Sequence, residues 1–232
     1  VSRRQSLDAL ERLDTPAWCT RALLDRMPSL RGRAVIEPCA GANRLAVVLA
    51  DEGGCRVDAF DIAPRHPAVV PLDATDHDWW AMIPPGWALV TNPAFSMAAA
   101  LLRAAWHAER TIALFLRLNW LEAVKDREDL PDPHAQIVVP RPKFIQSPEF
   151  EALRIASGKK KWGGDNVTCA WVIWNHRDAR LTRHPIQRVT WAQKAQLDAP
   201  LRPPVRALAE AIPAHVPTSR GGLELAERRP AE

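Results

Sequence analysis

Trp87-Ala88-Leu89-Val90-Thr91-Asn92-Pro93-Ala94-Phe95 is an apolar run that stops at an amide, a proline and an aromatic ring. A short continuous apolar run bounded by a turn signal is the pattern of a strand buried on both faces. In open α/β sheets, ligands sit in the crevice outside the carboxyl ends of the strands. The stretch therefore predicts a buried strand that delivers a small polar site, Asn92-Pro93 followed by Phe95, to the end where chemistry would be done.

The residues before it repeat that logic. Ala34-Val35-Ile36-Glu37 is a short apolar run that enters the small-residue loop Pro38-Cys39-Ala40-Gly41-Ala42-Asn43, and Leu45 to Glu52 follows with helical spacing. Gly53-Gly54 ends that helix, and Arg56-Val57-Asp58-Ala59-Phe60-Asp61 alternates polar and apolar residues before stopping at an acid. Strand, tight loop, helix and acid-terminated strand form the βαβ unit of a nucleoside-binding half: the loop lets a ligand approach backbone, and the acid accepts from ribose hydroxyls. An ordinary βα turn with an incidental Asp61 is the alternative. No G-x-G-x-x-G occurs, which disfavours a dinucleotide. Val69 to Asp76 reads as a further short strand that carries Asp73, and Asp14-Thr15-Pro16 as a turn in which Asp14 or Thr15 caps the following helix.

After Phe95, Ser96 to Glu109 is rich in alanine and leucine and predicts a helix capped by Ser96. Thr111 to Leu116 reads as a strand, Leu121 to Arg127 as a helix, and Ala135 to Val139 and Thr168 to Trp174 as two more strands. Seven strands, with helices interspersed early and few late, predict a largely parallel sheet with an antiparallel hairpin at one edge.

Composition bounds the function. The four cysteines, Cys19, Cys39, Cys55 and Cys169, show neither C-x-x-C pairs nor histidines at ligand spacing, so no zinc site, metal centre or disulfide framework is signalled. No apolar run approaches ~18 residues, and the N-terminus carries no secretory pattern, which predicts a cytoplasmic protein with no membrane partner. Residues 1–140 hold 15 Lys/Arg against 18 Asp/Glu, whereas residues 141–232 hold 16 against 9. A basic C-terminal part on a mildly acidic body suggests contact with a polyanion; a solubilising tail is the alternative. Within it, Arg141, Lys143 and the run Lys159-Lys160-Lys161-Trp162-Gly163-Gly164 are candidates for phosphate contact, with Trp162 placed to wedge or stack. A solvated surface loop explains that run equally well.

Taken together, Glu37-Pro38-Cys39-Ala40-Gly41, Asp61, Asp73 and Thr91-Asn92-Pro93-Ala94-Phe95 resemble the class I S-adenosylmethionine-dependent methyltransferases, and more narrowly the amino-methyltransferases of nucleic-acid bases. Leu116-Arg117-Leu118-Asn119-Trp120-Leu121, Pro140-Arg141-Pro142-Lys143-Phe144 and Ala170-Trp171-Val172-Ile173-Trp174 are similar to segments of phage and prophage DNA adenine methyltransferases. The resemblance covers about residues 14–175 and implies an α/β, Rossmann-like fold with a seven-stranded, mostly parallel sheet, an antiparallel edge strand and helices on both faces. It implies a catalytic domain over 1–177; by composition, the basic stretch 145–166 reads as an insertion within it and the basic, Pro-rich residues 178–232 as a C-terminal extension.

The activity implied is transfer of a methyl group from S-adenosyl-L-methionine to the exocyclic amine of a flipped base in duplex DNA, with adenine N6 foremost. Cytosine N4, adenine in RNA and a protein amide are alternative acceptors, and a non-catalytic nucleic-acid-binding protein is the alternative from another class. By the resemblance, Asn92 and the Pro93 carbonyl would hold the amine and Phe95 would stack on the base. Thr15 and Pro16 would close over the methionine end of the cofactor. Glu37, Pro38, Cys39, Ala40 and Gly41 would line its loop, Asp61 with Ile62 would meet the ribose side, and Asp73 with Ala74 the adenine side. Two positions depart from the pattern: the signature's second proline is Ala94, which would loosen the catalytic loop, and the second glycine of the cofactor loop is Asn43, which would narrow it.

Overall fold

A computed structural model of the chain describes residues 13–107, 109–122, 128–146, 152, 155, 156 and 167–198. In chain order these form β1 (Leu13–Asp14), α1 (Ala17–Arg26), β2 (Ala34–Glu37), α2 (Arg44–Asp51), β3 (Arg56–Asp61), β4 (Val70–Pro71), α3 (His77–Met82) and β5 (Ala88–Thr91). There follow α4 (Ala98–Ala105), β6 (Ile112–Arg117), a 3-10 turn (Leu118–Leu121), β7 (Ala135–Val139), β8 (Ile145–Gln146), β9 (Cys169–Trp174), α5 (Ala179–Arg183), β10 (Ile186–Arg188) and α6 (Trp191–Leu197).

Eight strands form one mixed, mostly parallel sheet in the order β10-β7-β9-β6-β5-β2-β3-β4. β9 alone runs antiparallel, pairing Phe115 with Trp171 on one side and Ile137 with Trp171 on the other. Two expectations are corrected here. Among the described residues the sheet has eight strands, not seven, and the antiparallel strand is not at the edge, because β7 and then β10 lie outside it. The extra strand, Ile186–Arg188, comes from the segment that composition assigns to the C-terminal extension. It pairs in parallel with Gln136–Val138 and needs only one inward side chain, Gln187, which is too little for an alternating pattern to register.

Alternation along the buried strands sends successive side chains to opposite faces. Val35, Ala88, Val90, Phe115 and Trp171 join Leu23, Leu24, Leu45 and Leu49 of α1 and α2 in one core layer. Ile36, Leu89 and Leu114 face the other way, where Leu101 and Leu102 of α4 and Trp80 of α3 are buried. Trp171 fixes the first layer in place, because its indole Nε1 donates to the Cys19 carbonyl at 2.8 Å inside the core. Arg21 ties three helices together on that side, donating to both oxygens of Glu52 and to the Leu197 carbonyl.

Several helix ends differ from expectation. α1 begins after Pro16 with no side-chain cap, so neither Asp14 nor Thr15 caps it. α4 begins at Ala98 with Met97 in the cap position instead of Ser96. Leu118–Leu121 is a 3-10 turn, and residues 123–127 of the helix expected to follow lie outside the described residues. No helix among the described residues is long and apolar enough to cross a membrane.

Arg110 fastens the α3/α4 layer to the sheet. Its buried guanidinium donates to the Ala105 carbonyl at the end of α4 (2.7 Å) and to the Ile83 carbonyl beyond α3 (2.9 Å). A cation at two helix carboxyl ends satisfies orphan carbonyls and opposes both dipoles. Replacing Arg110 by Ala leaves those carbonyls buried and unpaired, so urea denaturation is expected to register a loss of about 2–4 kcal/mol.

Candidate active site

β2 pairs with β3 on one side and β5 on the other, and the crossovers that follow β2 and β5 leave in opposite directions. A crevice must open at the carboxyl ends of β2 and β5, and a cleft of about 490 Å³ lies there. Glu37, Pro38, Cys39, Ala40 and Gly41 form its floor after β2, Asp61 and Ile62 one side after β3, and Asp73 and Ala74 the far end after β4. Asn92 and Pro93 after β5 form the other side, and Thr15 closes the top. Pro16 is buried behind Thr15 and does not line the cleft.

The loop after β2 is shaped by backbone. Gly41 (φ 51°) donates its N–H to Asp61 Oδ2 at 2.8 Å, and a Cβ there would come within 2.7 Å of the Arg65 guanidinium. Asn43 adopts φ 63°, a left-handed conformation that glycine and asparagine tolerate best, so it meets the backbone demand of the loop without being glycine. Its Oδ1 is buried and has no hydrogen-bond partner.

Three carboxylates end three neighbouring strands or their loops, and each is held differently. Glu37 is 2% exposed, with Oε2 unpartnered. Burial pushes its carboxyl well above the usual range, the charges of Asp61 and Asp14 add to this, and the Ala46 N–H opposes it. Asp61 braces the site, accepting from Gly41 N–H and, through Oδ1, from Ala63 N–H at 2.8 Å. Asp73 stands at the surface, where the Thr75 N–H and hydroxyl hold it below its ordinary value. The neighbouring Asp76 is used differently, as the N-cap of α3. The Cys39 thiol, enclosed by the loop and beside Asp61, is pushed up to about 12 and stays neutral.

β1 forms a strap across the mouth. It pairs antiparallel with β8, its Asp14 carboxylate meets Arg65 and lies 3.4 Å from Arg44 Nε, and its Leu13 carbonyl accepts from Asn92 Nδ2 at 2.9 Å. Only the amide nitrogen of Asn92 can donate to that carbonyl, so its Oδ1 is left as an acceptor turned away from the strap. Sequence reasoning misses Asp14, Arg44 and Arg65: the acid reads as a cap, and no spacing rule joins residues 14, 44 and 65.

The Asn92-Pro93-Ala94-Phe95 loop is braced without a second proline, since the Met97 N–H bonds to the Ala94 carbonyl at 2.8 Å. Phe95 does not line the cleft. Its ring lies under the Arg117 guanidinium, 4.5 Å from the ring centre. Arg141 and Lys143 are exposed on the segment that leads from β7 to the β1/β8 ribbon and do not line the cleft. Lys159, Lys160, Lys161 and Trp162 lie outside the described residues. Among the described residues, no group of three His, Cys, Asp or Glu side chains is arranged to hold a metal ion. No protein-family model matches the chain, and no curated protein matches it.

Because the Glu37 carboxyl is raised, the folded chain holds a proton that the unfolded chain releases above about pH 4.3. Its contribution to stability falls as pH rises from there through the folded value. Glu37→Gln removes that dependence while keeping an acceptor for Ala46 N–H. Thermal melts at neutral pH are expected to rise by about 2–4 °C, or about 1 kcal/mol, with no gain in acid.

Proposed function

We propose that the chain is a Rossmann-like class I methyltransferase that transfers a methyl group from S-adenosyl-L-methionine to the exocyclic amine of a base in DNA, adenine N6 foremost. The observation that carries this reading is the Asn92 amide, whose nitrogen is tied to the Leu13 carbonyl so that its oxygen is presented as an acceptor beside the cleft. The residues present fit the cofactor. The volume suits a ligand of that size. Asp61 and Asp73 lie on one side with the apolar Ile62, 71% exposed, between them in the chain, and the unpartnered Glu37 oxygen supplies an acceptor for a cationic group deeper in the cleft.

An exocyclic amine is a poor nucleophile because its lone pair is delocalised into the ring. With one N–H accepted by Asn92 Oδ1 and the other by the Pro93 carbonyl, the nitrogen pyramidalises and directs its lone pair along the line of transfer. The bound cofactor supplies an activated methyl on a sulfonium. When bound, it would give up that methyl to the amine nitrogen as its S–C bond broke, and the surplus amine proton would pass to water. Orientation supplies most of the acceleration, for which ~7–11 kcal/mol is available in well-aligned intramolecular reactions. The base must leave the duplex stack to reach Asn92; Phe95 would stack on it only if the Arg117 guanidinium, which lies over the ring, gave way.

The covered Phe95 ring favours one second reading, a nucleic-acid-binding protein that keeps the fold without turnover. Labelled methyl transfer to duplex DNA, RNA and single strands, followed by nucleoside digestion, separates the two. N6-methyldeoxyadenosine is the expected product; salt-sensitive DNA binding with no transfer to any acceptor would support the second reading instead. Asn92→Ala is expected to lower transfer at least 100-fold, the scale of losing a positioned group, with cofactor affinity within about twofold. Asn92→Asp would set a carboxylate against the Leu13 carbonyl. It is expected to transfer more slowly than the parent, and an equal or faster rate would remove the assigned role of that contact.

A further inference from the structure

A second concavity lies away from the cleft. A shallow depression of about 610 Å³ is lined by Arg26 at the end of α1, Arg180 and Arg183 of α5, His184, and Ile186 and Arg188 of β10, with no Asp or Glu among its lining residues. Local rules gather these side chains. Asp178 caps α5 by accepting from the Arg180 and Leu181 N–H groups, which starts the helix so that Arg180 and Arg183 fall three apart on one face. β10 is an edge strand whose inward Gln187 leaves Ile186 and Arg188 pointing outward together.

Of the cluster, the acids nearby offset only Arg26. Asp178 is buried and engaged by the backbone of Ser29, Arg180 and Leu181. Asp25 meets Arg26 Nε at 3.3 Å, while Arg180 donates to the Asp25 backbone carbonyl and not to its carboxylate. Arg183 and Arg188 make no side-chain hydrogen bond or ion pair among the described residues. Gathered like charges raise the free energy of the folded state unless an anion offsets them.

The shape argues for a polymer and not a small ion. The guanidinium groups are spread over a helix end, a second helix and an edge strand around an open surface, which suits successive phosphates better than one enclosed anion. Ile186, 65% exposed beside Arg188, offers an apolar contact to a sugar or base. It is the one large apolar side chain in the lining, too little for insertion into a lipid surface.

The register places this depression. β10 and β7 run parallel with β6 and β5, so α5, His184 and the start of β10 lie at the amino end of the sheet, whereas Asn92 lies at the carboxyl end. We infer that the Arg26/Arg180/Arg183/Arg188 depression is a docking site for the phosphodiester backbone of nucleic acid, read without regard to sequence and separate from the carboxyl-end cleft. The inference does not depend on methyl transfer.

The test is fluorescence anisotropy with a labelled duplex and the full chain, for the parent, Arg183→Gln/Arg188→Gln, and a charge-matched Arg56→Gln/Arg103→Gln control. Both target arginines are exposed, so the melting profile is expected to stay unchanged. At low salt the target variant is expected to bind about tenfold more weakly, and the slope of log K against log salt to fall by about two. The control is expected to stay within about twofold of the parent. Unchanged affinity and slope, an equal loss in the control, no binding of DNA by the parent, or a loss seen only with phosphatidylserine vesicles or inorganic phosphate would each overturn the proposal. The duplex is titrated without cofactor and no turnover is read, so failure of the methyl-transfer reading leaves this result legible.

Discussion

Parallel strands can be joined only by crossovers, and a crossover that keeps its right hand must place its helix on the face dictated by the direction in which it travels. From β2 the chain passes through α2 to β3, and from β5 through α4 to β6, moving away from each other across the sheet. The two helices lie on opposite faces and a gap remains between the carboxyl ends of β2 and β5. Every feature of the cleft follows from that gap. The loop after β2 must turn tightly to re-enter α2, the end of β5 must stop at a residue that can face open space, and the strand ends that converge there bring their terminal carboxylates with them.

Those carboxylates are differentiated by their surroundings more than by their type. Glu37 is dry and short of donors, so its charged form is disfavoured until a cation arrives. Asp61 is committed to backbone, which makes it a brace for the loop as well as a wall of the cleft. Asp73 is solvated and held charged by Thr75. A ligand with a cationic end and a polar, hydroxyl-bearing end would meet each of these in a different state. The β1 strap couples the two sides, because the same two residues, Leu13 and Asp14, reach the Asn92 amide and the arginines beside the glycine loop.

Much of this was legible from residue order. Ala34–Glu37, Arg56–Asp61 and Ala135–Val139 have the bounds that apolar runs and turn residues predict, because each is short, paired on both sides and closed by a loop signal. The residues predicted to line the cofactor loop and the acidic strand ends do line the cleft, apart from Pro16. What stayed hidden depends on contacts between distant segments. β10 has a single inward residue and follows a proline, so it carries no period. Asp14 belongs to a strap defined by Arg44 and Arg65, thirty and more residues away. Asn43 serves as a glycine through its φ angle, which residue type alone does not reveal, and Phe95 is covered by a cation from the end of β6.

Cofactor recognition is the claim on which the rest of the chemistry stands, and calorimetric titration of the full chain with S-adenosyl-L-methionine tests it most directly. One site per chain is expected, with affinity that strengthens as pH rises because binding a cation draws the proton from Glu37. Glu37→Gln is expected to bind more weakly and to lose that pH dependence. No saturable heat at any pH, or binding in Glu37→Gln as tight and as pH-dependent as in the parent, would contradict it.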